Sequence, residues 1–236
     1  MSERDLDWPG CVNVRDLGGL HTVAGGTTRR GAVVRADGLS ALTAAGWDAL
    51  LAHGIRTIID LRNPEEREPD LAPRPEGVTT LELPLEDDLD HDFAAEWLGA
   101  GWDATPLYVP AYLDRYPDRL VPVVRAIAEA PPGGVVVHCA LGRDRTGLVA
   151  FVLLGLAGVA REDVVSDYLV SDERLARHAD PERRELGRFV EALLSTRGTN
   201  RRAAMEQVWD TVDVVERLRA GGVRAADADA VRTRLT

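Results

Sequence analysis

Apolar positions along the chain recur with two periods, and the changes of period mark its elements. Residues 55–61 read Ile-Arg-Thr-Ile-Ile-Asp-Leu, rich in β-branched side chains and halted by Asn63-Pro64, which predicts a strand ending in a turn. Residues 32–35 and 78–83 predict two more strands, the second by alternation. Gly133-Gly134 releases Val135-Val136-Val137-His138, a continuous apolar run of the kind buried on both faces of a sheet. Elsewhere the period lengthens. Ser40 or Thr43 caps a helix reaching about His53, with Ala, Leu and Trp on its inner face. A helix covers part of 108–130, interrupted near Pro117 and Pro122. Residues 146–156 are apolar nearly all round, a buried helix. The acidic stretch 86–103 has no clean period and reads as loop with helical pieces. From Asp163 onward the chain reads as helical, with Arg183, Arg184, Arg188, Arg201 and Arg202 on a solvated face.

Strands alternating with helices predict an α/β fold: a central, mainly parallel sheet flanked by helices, with a helical C-terminal part. No repeat and no Ser/Gly linker divides the chain. One domain over 1–236 is expected, with helical, lid-like segments at about 86–116 and 172–236. At 236 residues, 45% hydrophobic and 28% charged, the composition is that of a globular chain able to bury its own core. It excludes a collagen, a disulfide scaffold and a disordered chain. The longest apolar run, 148–159, is too short to span a bilayer, and the first residues lack a basic-then-apolar signal. A cytoplasmic protein without stable membrane insertion is expected. Cys11 and Cys139 belong to no CxxC pair, so neither a metal nor another cofactor is expected. A net charge of −11 argues against tracking nucleic acid, because phosphate neutralisation dominates that affinity. It leaves room for one local basic anion pocket.

The segment with chemistry is Val135-Val136-Val137-His138-Cys139-Ala140-Leu141-Gly142-Arg143-Asp144-Arg145-Thr146-Gly147. A buried strand ends, a few residues turn, and a buried helix begins. Such a turn stacks the backbone N–H groups of Ala140, Leu141, Gly142, Arg143, Asp144 and Arg145 into an anion nest, reinforced by the helix N-terminus. Gly142 supplies the backbone freedom of a tight loop. N–H donors, helix dipole and two arginines all favour a Cys139 thiolate over the thiol. Arg145 can curl its planar fork over the nest and match two phosphoryl oxygens. Thr146 can donate its hydroxyl to the thiolate. The plainer reading is a packed cysteine beside surface arginines, but an arginine at the positive end of a helix is disfavoured without an anion to hold.

This segment resembles the Cys-x5-Arg phosphate loop of the protein tyrosine phosphatase superfamily, and its Gly-x-Asp-Arg-Thr-Gly ending is similar to that of the bacterial tyrosine phosphatase family. Other blocks carry the resemblance: Asn13-Val14-Arg15-Asp16-Leu17-Gly18-Gly19, Arg30-Gly31 through Arg35-Ala36-Asp37, Asp60-Leu61-Arg62 followed by Glu65 or Glu66, and 165–171 with its Asp-Tyr-Leu-x-Ser. The family usually has Lys where Arg143 stands. The resemblance implies a phosphatase-like fold and a phosphocysteine mechanism that needs no metal. Cys139 attacks phosphorus, and Arg145 with the nest holds the equatorial oxygens, so a phosphate or sulfate ion is an expected occupant of the loop. The implied substrates are phosphotyrosine proteins, with dual specificity or phosphoinositides as alternatives. A proton donor for the leaving oxygen is expected from Asp60 or Asp144, with Asp103, Asp114 or Asp118 at the distance of a separate upstream acid loop. A rhodanese-type sulfurtransferase also puts a cysteine in an anion loop, but does not need Arg145-Thr146-Gly147. A non-catalytic phosphate binder would not need Cys139 and Arg145 both intact.

Three lesser features have plainer readings. His138 reads as a core histidine, Cys11 as a packing residue, and Asn13, Arg15 and Asp16 as a network beneath the loop. Six of the 12 aromatic residues fall between Phe93 and Tyr116. Tyr108, Tyr112 and Tyr116 recur every four residues as one helical stripe, which either packs on the sheet or covers the phosphate loop.

Overall fold

The chain was analysed as a computed structural model that describes residues 3–178 and 180–236, apart from the side chain of Arg183. Five strands form one sheet: β1 (Arg15–Asp16), β2 (Val33–Ala36), β3 (Ile55–Asp60), β4 (Thr79–Glu82) and β5 (Gly134–His138), in the order β1-β2-β5-β3-β4. β1 lies antiparallel to β2, and the remaining pairs are parallel. The all-apolar run of β5 takes the centre, where every residue is buried, whereas alternating β4 forms a half-exposed edge. The register sets Ala36 and Asp60 on either side of His138. Three strands therefore end level, and Asp37, Leu61 and Cys139 leave the sheet along its carboxyl edge, where α/β sheets place ligands.

The helical segments among the described residues are α1 (Ala44–Ala52), α2 (His91–Phe93), α3 (Tyr108–Arg115), α4 (Leu120–Ala128), α5 (Asp144–Leu156), α6 (Arg161–Leu175), α7 (Pro181–Ser195), α8 (Arg201–Thr211), α9 (Val214–Ala220) and α10 (Ala225–Leu235). Thr43 caps α1, its side chain accepting from the Gly46 N–H at 3.2 Å. Trp47 and Leu50 of α1 then pack on one sheet face with Trp8, Val34, Ile58 and Val136. The opposite face meets α5, which is buried along nearly its whole length between the sheet and α4, α6, α8, α9 and α10. None of the described helices is long and apolar enough to cross a membrane.

Three local expectations change. Pro117 does break the helix, opening a short 3₁₀ turn, but Pro122 sits in the first turn of α4, where its missing N–H has no helical partner to lose. The helix after β5 begins at Asp144 rather than Thr146, so Asp144 and Arg145 lie in its first turn. Arg184, Arg188 and Arg202 are exposed as expected, and the Arg183 side chain lies outside the described residues, but Arg201 is buried and ion-paired to Asp172. The tyrosine stripe packs: Tyr108, Tyr112, Tyr116, Phe93 and Trp97 form one continuous ring cluster with centroids 5.0–6.1 Å apart. Trp102 lies outside it, stacked under Arg197 at 4.2 Å.

Beneath the carboxyl edge lies a buried ionic knot. Asp167 of α6 accepts from Arg15 Nε at 2.9 Å, Arg35 Nη1 at 2.7 Å and Arg4 Nη2 at 2.9 Å. Burial alone would raise the Asp167 pKa, but these guanidiniums outweigh it and hold the carboxyl far below its ordinary range. Arg15 is pushed down to about 9 by burial and by the neighbouring Arg35 charge. Asn13 and Ser171 complete the knot as hydrogen-bond partners of Arg15. Asp16 lies apart from it, accepting from the Gly18 and Gly31 N–H groups and contacting His53. Asp167→Asn leaves buried guanidiniums short of a counter-charge. Urea denaturation should show a loss of about 3–5 kcal/mol, whereas Glu162→Gln, in an exposed pair with Arg202, should leave the midpoint unchanged.

Candidate active site

Cys139 is the first residue beyond β5, and 2% of its surface is exposed. The loop after it is oriented through its carbonyls. The Ala140 carbonyl accepts from the Gly38 N–H at 3.0 Å, that of Leu141 from Asn13 Nδ2 at 2.9 Å, and that of Gly142 from Arg35 Nη2 at 2.8 Å. With the carbonyls held on one side, the N–H groups face the other. Among the described residues nothing accepts a hydrogen bond from the backbone N–H of any residue from Ala140 to Arg145. Gly142 is required twice over: its φ is +65°, and a Cβ there would stand 2.6 Å from the Ala36 carbonyl carbon. The result is a concave row of donors running into the N-terminus of α5, an arrangement suited to an anion.

Two buried arginines stand among the carboxyls around this loop. Burial would lower the pKa of Arg145 and of Arg62, but their carboxylate partners, Glu66 and Glu86 for the first and Asp60 for the second, outweigh it and keep both charged. Arg145, the second residue of α5, is gripped by both carboxylate oxygens of Glu66, and its Nε lies 3.2 Å from Glu86. Arg62 lies along Asp60, donating from Nε at 3.0 Å and from Nη2 at 2.8 Å. Burial tends to raise the pKa of Asp60 and of Glu66, but Arg62 and Arg145 respectively outweigh it and hold both as carboxylates. The Thr146 hydroxyl is buried without a hydrogen-bond partner among the described residues.

Asp144, at the start of α5, accepts from its neighbour Arg143 at 2.8 Å (Nε) and 3.3 Å (Nη2). Arg143 also lies 3.5 Å from Asp172, so its buried guanidinium is turned to carboxylates and only its N–H joins the nest. His138 is fully buried and pushed down to about 4 by burial, a neutral core histidine at pH 7. Burial also pushes the Cys11 thiol up, with the Asp37 charge adding to it, in keeping with a packing role. Asp114 pairs with Arg217 of α9, and Asp118 lies in the 3₁₀ turn after α3.

Three residues of this constellation escaped the sequence reading as site groups, Arg62, Glu66 and Glu86, whereas Asp103 is read there with Asp114 and Asp118 as a candidate upstream acid. Arg62 and Glu66 had a signal, because they share a block with Asp60. Glu86 lies in the stretch without period and had none, and for Asp103, in the same stretch, position alone was the signal. Glu86 is half-buried beside Arg145 and accepts from the Tyr108 hydroxyl at 2.9 Å, which ties the aromatic cluster to the site. Burial raises its pKa, the charges of Asp144 and Glu66 add to the rise, and Arg145 opposes it. Asp103 is half-buried and pushed up to about 7, first by burial and then by the charges of Asp144 and Glu86, against the opposing Arg143. A cavity of about 140 Å³ opens beside the loop, bordered by Gly38, Ser40, Arg62, Glu66 and Ala140. Among the described residues no cluster of His, Cys, Asp and Glu is arranged to hold a metal ion.

The sequence profile of the tyrosine phosphatase family matches residues 6–236. A candidate tyrosine-protein phosphatase of Cupriavidus necator is 32% identical over 184 residues, 75% of this chain and 66% of the relative. A tyrosine-protein phosphatase of Nostoc commune is 34% identical over 142 residues, 59% of this chain and 48% of the relative. The triple specificity protein phosphatase PtpB of Mycobacterium tuberculosis is 32% identical over 202 residues, 73% of this chain and 70% of the relative. The chain thus spans just under two thirds of the first of these relatives and about half of the second.

The raised pKa of Asp103 sets the sign of a stability effect. An unfolded Asp releases its proton near pH 3.9, whereas native Asp103 holds it to about 7. Between those values the native state binds more protons, so this carboxyl withdraws stability as pH rises. Asp103→Asn should therefore raise the melting temperature, and by more at pH 8 than at pH 5. An equal shift at the two pH values would show that Asp103 titrates normally.

Proposed function

The chain belongs to the tyrosine phosphatase family, and on that premise we propose that it hydrolyses phosphomonoesters, phosphotyrosine proteins foremost, through a phosphocysteine intermediate. The observation that carries this reading is the row of unpaired N–H donors from Ala140 to Arg145, running from Cys139 into the first turn of α5, where Arg145 stands. The Cys139 thiolate attacks phosphorus in line with the leaving oxygen. The nest and the Arg145 fork hold the three equatorial oxygens as charge builds on them, and this fixed field supplies most of the rate. Phosphoryl oxygens take the place of Glu66 at Arg145, and the Thr146 hydroxyl donates to the sulfur. Water then cleaves the thiophosphate. No step calls for a cofactor, because the guanidinium and the N–H groups meet the developing charge.

In this reading 1–236 act as a single phosphatase domain, and a phosphate or sulfate ion competes for the loop. The acidic residues Asp87, Asp88, Asp90 and Asp92, in the segment that follows Glu86, would repel an anionic lipid surface, so phosphopeptides are preferred over phosphoinositides. The name of the mycobacterial relative supports including phosphoserine and phosphothreonine among the substrates tried.

Hydrolysis of p-nitrophenyl phosphate with EDTA present should proceed in the wild type and vanish in Cys139→Ser. Equal activity of the two proteins overturns the assignment. Arg145→Ala should lower turnover by about 10²–10³-fold and weaken inhibition by inorganic phosphate in parallel. Lost activity with unchanged phosphate affinity contradicts the role given to Arg145.

A further inference from the structure

The sheet has a second edge. β2, β5 and β3 run parallel, so the strand ends opposite Cys139 also lie level: Val33 pairs with Val135, and Ile55 with Gly134. A cavity of about 550 Å³ opens there. Its floor is made by the turns that lead into these strands, at Gly31, Gly54 and Gly133, and its wall by α10 and the end of α4. The floor is bare backbone, and at Gly54 nothing stands within 4 Å of where a Cβ would lie. A volume of this size suits a small organic molecule. The length of β5 separates the cavity from Cys139, so it is a site apart from the phosphate loop.

Two arginines, Arg29 and Arg234, border this cavity, and neither has a carboxylate partner among the described residues. The Arg29 N–H donates to the Leu235 carbonyl at 2.6 Å, which seats Arg29 at the end of α10 beside Arg234. Arg234, half-buried, spends Nη1 on the Gly133 carbonyl at 3.0 Å and Nη2 on that of Ala130. Neutral carbonyls thus fix where this guanidinium stands without neutralising it. The Arg29 guanidinium meets no acceptor among the described residues. The other charged groups at the cavity are satisfied: Arg30 donates to Glu3 at 2.9 Å, and His53 contacts Asp16 at 2.9 Å. A third cation, Arg56, lies against Gly133 and donates to the Ile55 carbonyl at 2.7 Å, again without a carboxylate. The end of α10 offers about half a negative charge, too little for two guanidiniums. Burial and the Arg29 charge hold the Arg234 pKa below its ordinary value, with no carboxylate opposing them. In a chain of net charge −11, this is a local cationic site that lacks its counter-ion.

We propose that this cavity binds an organic phosphate of nucleotide size, with its phosphoryl dianion held by Arg29 and Arg234. Arg234, fixed by its two carbonyls, supplies a charge already in place, and the unengaged planar fork of Arg29 closes on two phosphoryl oxygens. Ala128, Pro132 and Ala230 present small apolar surfaces to the organic body. A monocarboxylate would leave one of the two guanidiniums uncompensated, so the cavity selects a dianion. No bond is made or broken here, and the site does not depend on the chemistry of Cys139.

The probe is adenosine monophosphate, titrated into isotope-labelled Cys139→Ser protein so that it is not turned over, and followed by amide magnetic resonance. The amides of Gly31, Gly54 and Gly133 report this cavity, and that of Gly142 reports the phosphate loop. The first three should shift and saturate together, with a dissociation constant separate from that read at Gly142. Arg29→Glu should weaken their saturation by about tenfold or more and leave the Gly142 response as it was. Arg29→Lys, which keeps the charge without the fork, should fall between the two. Thermal melting confirms that each variant is folded. Inorganic phosphate should move the same three amides at higher concentration, and adenosine should leave them still. Three unmoved amides, a response at Gly142 alone, or a response that Arg29→Glu leaves intact overturns the proposal. An equal response to adenosine removes the phosphoryl group from it, and equal affinity for inorganic phosphate removes the organic body.

Discussion

Asp167 is the constraint on which the site depends. It is one buried carboxylate meeting three guanidiniums, and two of the arginines it steadies reach the phosphate loop, Arg35 directly and Arg15 through Asn13. Arg35 uses Nη1 on Asp167 and Nη2 on the Gly142 carbonyl. Arg15 orients Asn13, whose amide holds the Leu141 carbonyl. A loop whose carbonyls are all occupied from below has no choice about where its N–H groups point. Charges this deep are costly to desolvate, and the knot offsets the cost by giving nearly every donor an acceptor. Segments distant in sequence, near 4, 15, 35 and 167, are thereby joined under Cys139.

Above the loop the electrostatics change sign twice. The nest and two arginines make a cationic centre inside a chain of net charge −11, and a ring of carboxyls surrounds that centre. Those along a guanidinium, Asp60 and Glu66, are driven toward the anion, and those set among other carboxyls, Glu86 and Asp103, toward the acid. One residue type is thus divided by its neighbours into counter-ions and carboxyls that hold their protons longer.

The sheet, the loop and its neighbours were legible because their signals are local. An unbroken apolar strand, a glycine and a cationic helix start lie within a dozen residues, and the blocks around Asn13, Asp60 and Asp167 mark the parts that meet beneath it. Two errors came from treating local rules as absolute: Pro122 is harmless in a first turn, and α5 begins two residues early because Asp144 suits a positive helix end. Arg201 looked solvated because nothing in its own helix shows Asp172 waiting across α6. Glu86 was hidden, and Asp103 left unranked beside Asp114 and Asp118, for a deeper reason. Their segment follows no period, since single turns held by aromatic rings and a glycine place it, and tertiary contact alone decides which of its many acids face inward.

The grip of Glu66 on Arg145 means that the arginine proposed to bind phosphate already holds a carboxylate. Any incoming anion enters by exchange and must outbid a two-oxygen carboxylate already seated there. Chloride has no planar pair of acceptors, and a lone carboxylate would only replace like with like. A phosphoryl dianion brings one oxygen more and a second charge to the N–H row. The internal ligand therefore acts as a threshold, weakening every anion by the same exchange cost and leaving the tetrahedral dianion as the one able to exceed it.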